Sequence, residues 1–459
     1  MARGKFQARR GNGIYYVIIL ILLVLIAITG AYILRTLNTQ GGDTQPNLTT
    51  DTTPTKNPST TLPTEPSTEP TTEPTTVPTE PYVVSTASVG VTGDVLIHSP
   101  VYNAMLKNNV YDFSSIFTYI GEYYEKYDFM VANLEVPLAG ASKGYSGYPQ
   151  FNCPDSIVDA LKDAGVDMVL NANNHTYDQG HSGFVRTQEV LNEKGMLHLG
   201  TRLSTDTPLY IVQEINGIKV GMVCYTYETG DTSDGRKTLN GISVSHDDTD
   251  LIGSFHPKKL DEFYTEVQTV LEAMYQDGAE ATMLYIHWGD EYHTTQNSQQ
   301  TEIAQHLCEL GIDVIVGGHP HVIQPFATLT STTGHTTYCI YSVGNAISNQ
   351  RRTNISSAPN GHTEDSMIFG VTFEKWNDGS VKIREVDILP IWVCKEWTEK
   401  KGNSYYILPL ELESDWERFD IISGKYLDGS YKRTMEIVGE GLNAAREALG
   451  LAPRPMTAE

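Results

Sequence analysis

From about residue 84 onward, short apolar runs alternate with segments of helical spacing, and this alternation limits the possible folds more than any other feature of the chain. The apolar runs predict strands at 85–92, 127–132, 166–170, 281–286, 312–316 and 337–342. The helical spacing predicts helices at 113–126, 155–164, 182–194, 258–276, 302–310 and 434–449. Such alternation is typical of a layered α/β domain with mixed sheets.

Two strand pairs extend this pattern. Asn216-Gly217 predicts a hairpin turn between strands at 209–215 and 218–225. Segments 366–376 and 380–393 have the alternation of an antiparallel pair. The polar, glycine-rich stretch 227–254 is predicted to be a loop over a site.

The predicted strands end, one after another, in residue types that bind metals. Asp94 ends the first strand and is followed by His98; later ends carry Asn133 with Glu135, Asn174 with His175, His287, and His319 with His321. Any one of these residues also fits a turn, a helix cap or a hydrogen-bonded core residue. Because strand ends of an α/β sheet lie at one edge, the whole series favours a metal site of oxygen and imidazole ligands.

The segment Val316-Gly317-Gly318-His319-Pro320-His321 has the strongest local signal in this series. Its two glycines allow a sharp turn at the end of a buried strand. Glu291 and His293 follow His287 closely. They are interpreted either as partners that orient His287 or as solvated loop residues.

Charge and cysteine content exclude some classes of function. The net charge is −24 and the sequence pI is about 4.9, which argues against a nucleic-acid-binding protein. An acidic surface is compatible with a cationic metal site. The five cysteines form no CxxC pair and indicate buried thiols rather than disulfides or a zinc-thiolate site.

The N-terminal part predicts export. Residues 1–13 are basic and are followed by an apolar run at 14–34, which is long enough to span a bilayer of about 30 Å. The basic flank predicts a cytoplasmic N-terminus and an extracellular C-terminal domain on the cell membrane. A cleaved secretory signal is the alternative. Residues 35–83 form a Thr/Glu/Pro-rich linker, with Thr-Glu-Pro at 64–66, 68–70 and 72–74. This composition favours an extended stalk.

The motif series resembles that of the CapA/PgsA proteins, the bacterial capsule (poly-γ-glutamate) synthesis proteins, which are related to calcineurin-like metallophosphoesterases. The resemblance covers roughly residues 86–350 and continues weakly to about 395. It rests on Gly93-Asp94-Val95, Asn133-Leu134-Glu135, Ala172-Asn173-Asn174-His175, His287-Trp288-Gly289, Gly318-His319-Pro320-His321-Val322-Ile323-Gln324-Pro325 and Ser342-Val343-Gly344-Asn345.

The resemblance implies a four-layer α/β/β/α sandwich over residues 84–395, with residues 396–459 as an extension packed on it. It implies two divalent metal ions, Mn, Zn or Fe. Its implied roles are metal binding by Asp94, a bridging carboxylate at Glu135, and metal binding by Asn174, His287, His319 and His321. His175 is implied to be the general acid that protonates the leaving oxygen or to orient the phosphate.

Two motifs depart from the superfamily pattern. The usual Asp-x-His is replaced by Asp94 with His98 at a longer spacing, and Gly-Asp-x-x-Asp is replaced by Asn133-Leu134-Glu135. His98, Asn133 and Glu291 are therefore candidates either for metal binding or for support of the ligands. A site with one metal, or one kept only for binding, stays open.

Three functions follow as hypotheses. The first is a membrane-anchored, metal-dependent hydrolase of the metallophosphoesterase type that acts in capsule biosynthesis or export. The second is a non-catalytic accessory protein that binds or guides an anionic surface polymer, and the third is a phosphodiesterase that acts on wall polymers. The expected partners are an anionic capsule polymer or a phosphoester substrate, the membrane and other capsule-synthesis membrane proteins, without nucleic acid.

Overall fold

The computed structural model describes residues 80–458, with the exception of residues 359, 412 and 422. The predicted basic tail at 1–13, the apolar run at 14–34 and nearly all of the linker at 35–83 lie outside this part of the chain. Among the described residues, no helix combines the length and the hydropathy needed to cross a bilayer.

The described residues form nineteen strands. In chain order they are β1 (Val83–Val95), β2 (Leu106–Lys107), β3 (Val110–Tyr111), β4 (Phe129–Leu134), β5 (Met168–Leu170), β6 (Leu197–Leu199), β7 (Tyr210–Ile215), β8 (Ile218–Tyr227), β9 (Gly230–Asp231), β10 (Lys237–Leu239), β11 (Ile242–Ser243), β12 (Ser254–Phe255), β13 (Ala281–His287), β14 (Val314–Gly318), β15 (Ile323–Thr330), β16 (Thr336–Val343), β17 (Asp365–Trp376), β18 (Val381–Thr398) and β19 (Gly402–Pro409).

Seven α-helices lie in the same described part of the chain. They are α1 (Ser99–Ala104), α2 (Gly121–Tyr124), α3 (Ser156–Asp163), α4 (Gly180–Glu193), α5 (Leu260–Gln276), α6 (Ser298–Leu310) and α7 (Leu427–Ala448). Short 3₁₀ turns occur at Ser114–Phe117, Ala141–Lys143, His246–Leu251, His362–Glu364, Glu413–Arg418 and Gly424–Tyr426.

Two mixed seven-stranded sheets form the centre of the domain. The first sheet has the order β19-β18-β17-β1-β4-β5-β6, and β1, β4, β5 and β6 run parallel. The second has the order β12-β8-β13-β14-β16-β15, with β7 paired antiparallel to β8. In it, β8, β13, β14 and β16 run parallel. Each sheet therefore collects several strand ends at one edge.

The two sheets pack face to face because alternate residues of their strands are apolar. Val89 and Val91 of β1 share one buried cluster with Met222 of β8 and Met283 of β13. The other face of the first sheet packs with α1, α2, α3 and α4, and the other face of the second packs with α5 and α6. The predicted four-layer α/β/β/α arrangement is therefore the one observed.

Helix α7 covers the side of the sandwich, where it packs against β15 and β18. Its buried side chains join the cluster between the sheets; they are Leu427, Tyr431, Met435, Val438, Leu442 and Ala445. Gly441 permits a close approach, since a Cβ there would lie 2.0 Å from the Phe326 carbonyl oxygen. The boundary drawn at residue 395 falls inside β18, and β19 and α7 complete the same sandwich.

Two segments differ from their predicted secondary structure. Residues 113–126, predicted as one helix, contain the 3₁₀ turn Ser114–Phe117 and the short helix α2, which begins at Gly121. The apolar spacing is satisfied by these two turns, because Ile116, Phe117, Tyr123 and Tyr124 are all buried. The predicted loop at 227–254 contains the three-stranded sheet β9–β11 and a 3₁₀ turn.

Candidate metal centre

The predicted site residues converge at the carboxyl ends of parallel strands from both sheets. Strands β1 and β4 lead to Asp94 and Glu135, the turn after β5 carries Asn174 and His175, and β13 ends at His287. His319 and His321 follow β14. None of these seven residues is more than 4% exposed. The residues predicted from the strand ends therefore lie together in one buried polar cluster.

Asp94 is held by groups from three segments. Asn133 Nδ2 donates to Asp94 Oδ1 at 2.8 Å, and the backbone N–H of His319 donates to Oδ2 at 3.4 Å. His321 Nδ1 lies 3.5 Å from Oδ2. Burial alone would raise the pKa of Asp94, but its interactions with His321, His287 and Asn133 lower that pKa below its usual value. Asp94 is therefore an ionised carboxylate inside the protein.

Glu135 is fully buried and has no hydrogen-bond partner on either carboxylate oxygen among the described residues. His287 Nε2 lies 3.3 Å from Oε1, but this nitrogen is engaged with Asn174 Oδ1 at 2.9 Å. Burial and then the charge of Asp94 raise the pKa of Glu135 well above its usual value. An unpaired carboxylate at this depth is unfavourable unless a cation compensates it.

His319 and His321 complete the cluster around Glu135. One ligand atom from each of Glu135, His319 and His321 can be chosen so that all three lie within 4.8 Å of one another. His319 Nδ1 has no hydrogen-bond partner in the described part of the chain. Burial lowers the pKa of His287 to about 3 and that of His319 well below its usual range. These imidazoles are therefore neutral and offer lone pairs to a cation.

The backbone after β14 is shaped to present these imidazoles. His319 has φ 97° and His321 has φ 58°, a region that residues with a Cβ rarely adopt. Gly317 is required by close packing, since a Cβ there would lie 2.0 Å from the Tyr341 carbonyl oxygen. A Cβ on Gly318 would lie 3.1 Å from Asp94 Oδ1. The two glycines therefore bring the strand up against Asp94 and β16.

His175 forms a separate hydrogen-bonded pair at the border of the cluster. Its Nδ1 lies 2.8 Å from Asp178 Oδ2, and Asn240 Nδ2 donates to the other carboxylate oxygen of Asp178 at 2.9 Å. The ring edge packs against Phe151, with 4.7 Å between ring centroids. With the Nδ1 proton directed to Asp178, Nε2 is the nitrogen that can exchange a proton with a bound molecule.

The three additional candidates have different surroundings. Asn133 supports Asp94 and also accepts from Asn173 Nδ2 at 3.2 Å. His98 Nδ1 lies 3.1 Å from the Leu96 carbonyl oxygen and 3.3 Å from the Asn349 backbone nitrogen, and burial lowers its pKa to about 4. His98 is thus outside the group formed by Glu135, His319 and His321.

Glu291 and His293 lie on the solvent side of the cluster. Glu291 is exposed, and its charge is one of the smaller causes that raise the pKa of Glu135. His293 Nδ1 contacts the Glu291 carbonyl oxygen at 2.9 Å. Neither side chain makes a hydrogen bond to His287 within the described residues, so the interpretation as solvated loop residues fits better.

Sequence reasoning assigned no role to four residues of this region. Asn345 Oδ1 lies 3.0 Å from His321 Nδ1, and Tyr227 packs on His319 with 4.7 Å between ring centroids. Asp178 and Asn240 hold His175. The signals were present for two of them, since Asp178 lies three residues after His175 and Asn345 follows the strand β16. Nothing in the local sequence distinguishes Tyr227 or Asn240.

Comparison with known proteins identifies similar sequences. Residues 88–350 match the family described as "Bacterial capsule synthesis protein PGA_cap". The PGA biosynthesis protein CapA of Bacillus subtilis (strain 168) is 23% identical over 312 residues, which are 67% of this chain and 73% of that protein. The capsule biosynthesis protein CapA of Bacillus anthracis is 25% identical over 283 residues, which are 60% of this chain and 64% of that protein.

Similarity to solved structures is distant. The NAD nucleotidase (NadN) of Haemophilus influenzae aligns with a TM-score of 0.40 and 13% identity, over 80% of this chain and 59% of that chain. The protein TT1561 of Thermus thermophilus aligns with a TM-score of 0.32 and 9% identity, over 62% of this chain and 94% of that chain.

Proposed function

This chain belongs to the bacterial capsule synthesis protein family PGA_cap, of the CapA type, and from that premise we propose that it acts in the biosynthesis or export of a poly-γ-glutamate capsule through a metal-dependent hydrolytic site. The cluster at the strand ends is the proposed active site. The substrate class is an anionic capsule polymer or a phosphoester.

The observation that carries this proposal is the state of Glu135. Its carboxylate is 0% exposed and lacks a hydrogen-bond partner on both oxygens among the described residues, while His319 Nδ1 beside it is also unpartnered there. A buried polar cluster with open acceptors on carboxylate and imidazole together fits a divalent cation better than it fits a core hydrogen-bond network. The donor set therefore supports the proposed metal centre.

The residues that would hold metal are Asp94, Glu135, Asn174, His287, His319 and His321. Their oxygen and nitrogen donors suit Mn, Zn or Fe, and Glu135 is the carboxylate available to bridge two ions. A bound divalent ion would polarise a phosphoryl or carbonyl oxygen and make bound water more acidic. The protein contributes the buried setting, and the neutral state of the imidazoles keeps their lone pairs available.

We propose that His175 moves the proton in this reaction. Asp178 accepts the Nδ1 proton, which fixes the ring orientation and leaves Nε2 to protonate the leaving oxygen. Asp178 is a positioning residue, because it acts through His175. Phe151 donates its backbone N–H to Asp178 Oδ2 at 2.8 Å, so the carboxylate is itself held in place.

We also propose that the chain is a single-pass membrane protein with its catalytic domain outside the cell. The support is the basic segment at 1–13, the apolar run at 14–34 and the Thr/Glu/Pro-rich linker at 35–83. Protease treatment of intact cells tests this arrangement. Degradation of the domain without lysis is expected, and protection of the domain would contradict it.

A pair of variants separates catalysis from metal binding. In the full-length chain, His319→Ala should lose bound Mn or Zn and activity together, whereas His175→Ala should keep the metal and lose turnover by about 100-fold or more. Metal content by mass spectrometry and hydrolysis of a chromogenic phosphodiester are the two measurements. His335→Ala is a matched control, since His335 is half-buried and contacts the Ile312 carbonyl oxygen, at the opposite end of β14 from the centre.

The outcomes distinguish the hypotheses. Metal in the wild type but no hydrolysis of phosphoesters or γ-glutamyl amides would favour the accessory, polymer-guiding function. Equal and mild effects of His175→Ala and His319→Ala would contradict the assignment of roles. Hydrolysis of teichoic-acid-type polymers in preference to γ-glutamyl chains would favour the wall-polymer phosphodiesterase.

A further inference from the structure

One large cavity among the described residues contains none of the residues assigned to the metal centre. Its volume is about 690 Å³, which is within the usual range for small-molecule sites. It lies between helix α5, the small sheet β9–β11 and the edge of the second sheet at β12. Its chemistry is set by a few charged groups.

Lys237 is a cation of this cavity with a donor to spare among the described residues. Its side chain is largely buried, with 7% exposed, and Nζ donates to the Ile252 carbonyl oxygen at 3.2 Å and to Ser254 Oγ at 2.7 Å. An ammonium group has three donors, so one has no partner in the described part of the chain. Arg202, by contrast, is occupied by backbone carbonyls of Thr207 and Asp250.

Glu228 lies on the other side of the same hydroxyl group. Ser254 Oγ donates to Glu228 Oε1 at 2.8 Å while it accepts from Lys237. The Lys237 ammonium and the Glu228 carboxylate are thus near each other but not in direct contact, because the Ser254 hydroxyl lies between them. Burial lowers the pKa of Lys237, and the charge of Glu228 opposes that shift. A ligand that pairs with both the Lys237 ammonium and the Glu228 carboxylate would stabilise the charged form of each.

The charge of the walls limits which ligand fits. Five carboxylate residues and three Lys or Arg residues line the cavity, together with His256. Most of the basic groups are already engaged, since Lys259 and His256 face Asp231 at 3.7 and 3.5 Å and Arg202 binds carbonyls. A simple anion such as phosphate would meet an excess of negative charge. A simple amine would leave the free donor of Lys237 unused.

We propose that this cavity is a binding site for a zwitterionic amino-acid head group, with the carboxylate on Lys237 and the α-ammonium on Glu228. Adjacent opposite charges in the ligand match adjacent opposite charges in the wall. The source is either a free amino acid or the amino-terminal residue of a γ-linked glutamyl chain, and the second source rests on the proposed function. Tyr227 packs on His319 and Glu228 is the next residue, so this site adjoins the metal centre along the chain.

Calorimetric titration of the EDTA-treated full-length chain tests this site. The probes are glutamate, γ-glutamylglutamate, glutarate, which lacks the amine, and γ-aminobutyrate, which lacks the α-carboxylate. Saturable binding of glutamate or the dipeptide is expected, with glutarate and γ-aminobutyrate at least about tenfold weaker. Tighter binding of the dipeptide would identify the chain end as the source, and tighter binding of glutamate would identify the free amino acid.

Variants locate the binding. Lys237→Met should weaken glutamate binding by about 10- to 100-fold, and Glu228→Gln should weaken it similarly but leave glutarate unchanged. Lys162→Met is the matched control, because Lys162 on α3 also donates two hydrogen bonds, in its case both to carbonyl oxygens, but lies outside the cavity. Thermal melting of each variant checks that it is folded.

Four results would overturn the proposal: no saturable binding at millimolar ligand, equal binding of glutarate and glutamate, unchanged binding by folded Lys237→Met and Glu228→Gln, or loss of binding in His319→Ala alone. His319→Ala separates this site from the metal centre. If His319→Ala alone abolishes glutamate binding, the ligand occupies the metal centre, and only the proposed function survives. If glutamate binds normally but metal does not, the proposed function fails and this site stands.

Discussion

At the scale of single residues, the centre contains two strained backbone positions that neighbouring side chains hold in place. The positive φ values of His319 and His321 place two non-glycine residues in a region that disfavours a Cβ, at about 1–3 kcal/mol each. The Asp94 carboxylate and the Asn345 amide oxygen hold these residues from the other side. These contacts therefore hold both residues in the strained conformation and keep their rings close to Glu135.

The role of Asp178 can be tested by Asp178→Asn. The amide lacks the negative charge that favours the Nδ1 proton of His175, so the ring should lose its preferred tautomer and orientation. We expect kcat to fall by about 100-fold while metal content stays unchanged. Asp155→Asn is the control, because Asp155 pairs with Arg186 away from His175. An unchanged kcat, or loss of metal, would contradict a positioning role.

At the scale of elements, the helix and strand before the histidines set their position. Helix α6 starts with a capping box in which Asn297 and Gln300 satisfy each other's backbone groups, and it ends at Gly311 in the left-handed conformation. Strand β14 then begins at Val314 between β13 and β16. The residues that start and end α6 can be identified from the local sequence. The predicted helix and strand agree with the structure apart from their bounds.

Gly317→Ala tests how tightly β14 is held. The added methyl group would meet the Tyr341 carbonyl oxygen at 2.0 Å and the Trp288 indole nitrogen at 2.5 Å. We expect the free energy of unfolding to fall by about 2–3 kcal/mol and metal affinity to fall with it. Thermal melting with and without Mn measures both effects.

The comparison for this substitution is Gly424→Ala, where a Cβ would have no neighbour within 4 Å and φ is not positive. That variant should melt like the wild type. If Gly317→Ala also melts like the wild type and binds metal normally, the close packing of β14 against β16 does not control the centre.

Elements whose formation depends on distant contacts were the ones that sequence analysis missed. The small sheet β9–β11 has strands of two or three residues, too short for a periodic pattern, and the 3₁₀ turn that follows it is held by contacts such as Tyr177 with Asp248 at 2.6 Å. The site residues were predictable because each follows an apolar strand. The residues that hold them, such as Asn240, come from segments whose position only the folded chain determines.

At the scale of the whole molecule, the C-terminal residues are part of the sandwich. Helix α7 buries six apolar side chains in the cluster between the sheets, and β19 pairs with β18 along its length. Arg433 on α7 also donates to the buried Asp365 carboxylate at 2.6 and 2.7 Å. The match to the family ends at residue 350, before this region, although the packing continues through it.

Removal of residues 396–459 should therefore prevent folding. At about 1.5–3 kcal/mol for each buried side chain of α7, the loss is on the order of 10 kcal/mol, which is comparable to the total stability of a typical domain. Soluble expression and circular dichroism of the truncated chain measure the effect. Val438→Asp should be severely destabilised and the exposed Glu440→Ala should not be. A folded, metal-binding fragment ending at 395 would refute this expectation.

Strand β1 also sets the distance between the centre and the start of the domain. It begins at Val83, where the N-terminal linker joins the domain, and ends at Val95, next to Asp94. Its thirteen residues, at about 3.3 Å each, separate the attachment point from the centre by about 40 Å. A tag or surface joined at Val83 is therefore held apart from the centre by the length of β1, so tethering through this end should leave the centre free to meet its ligand.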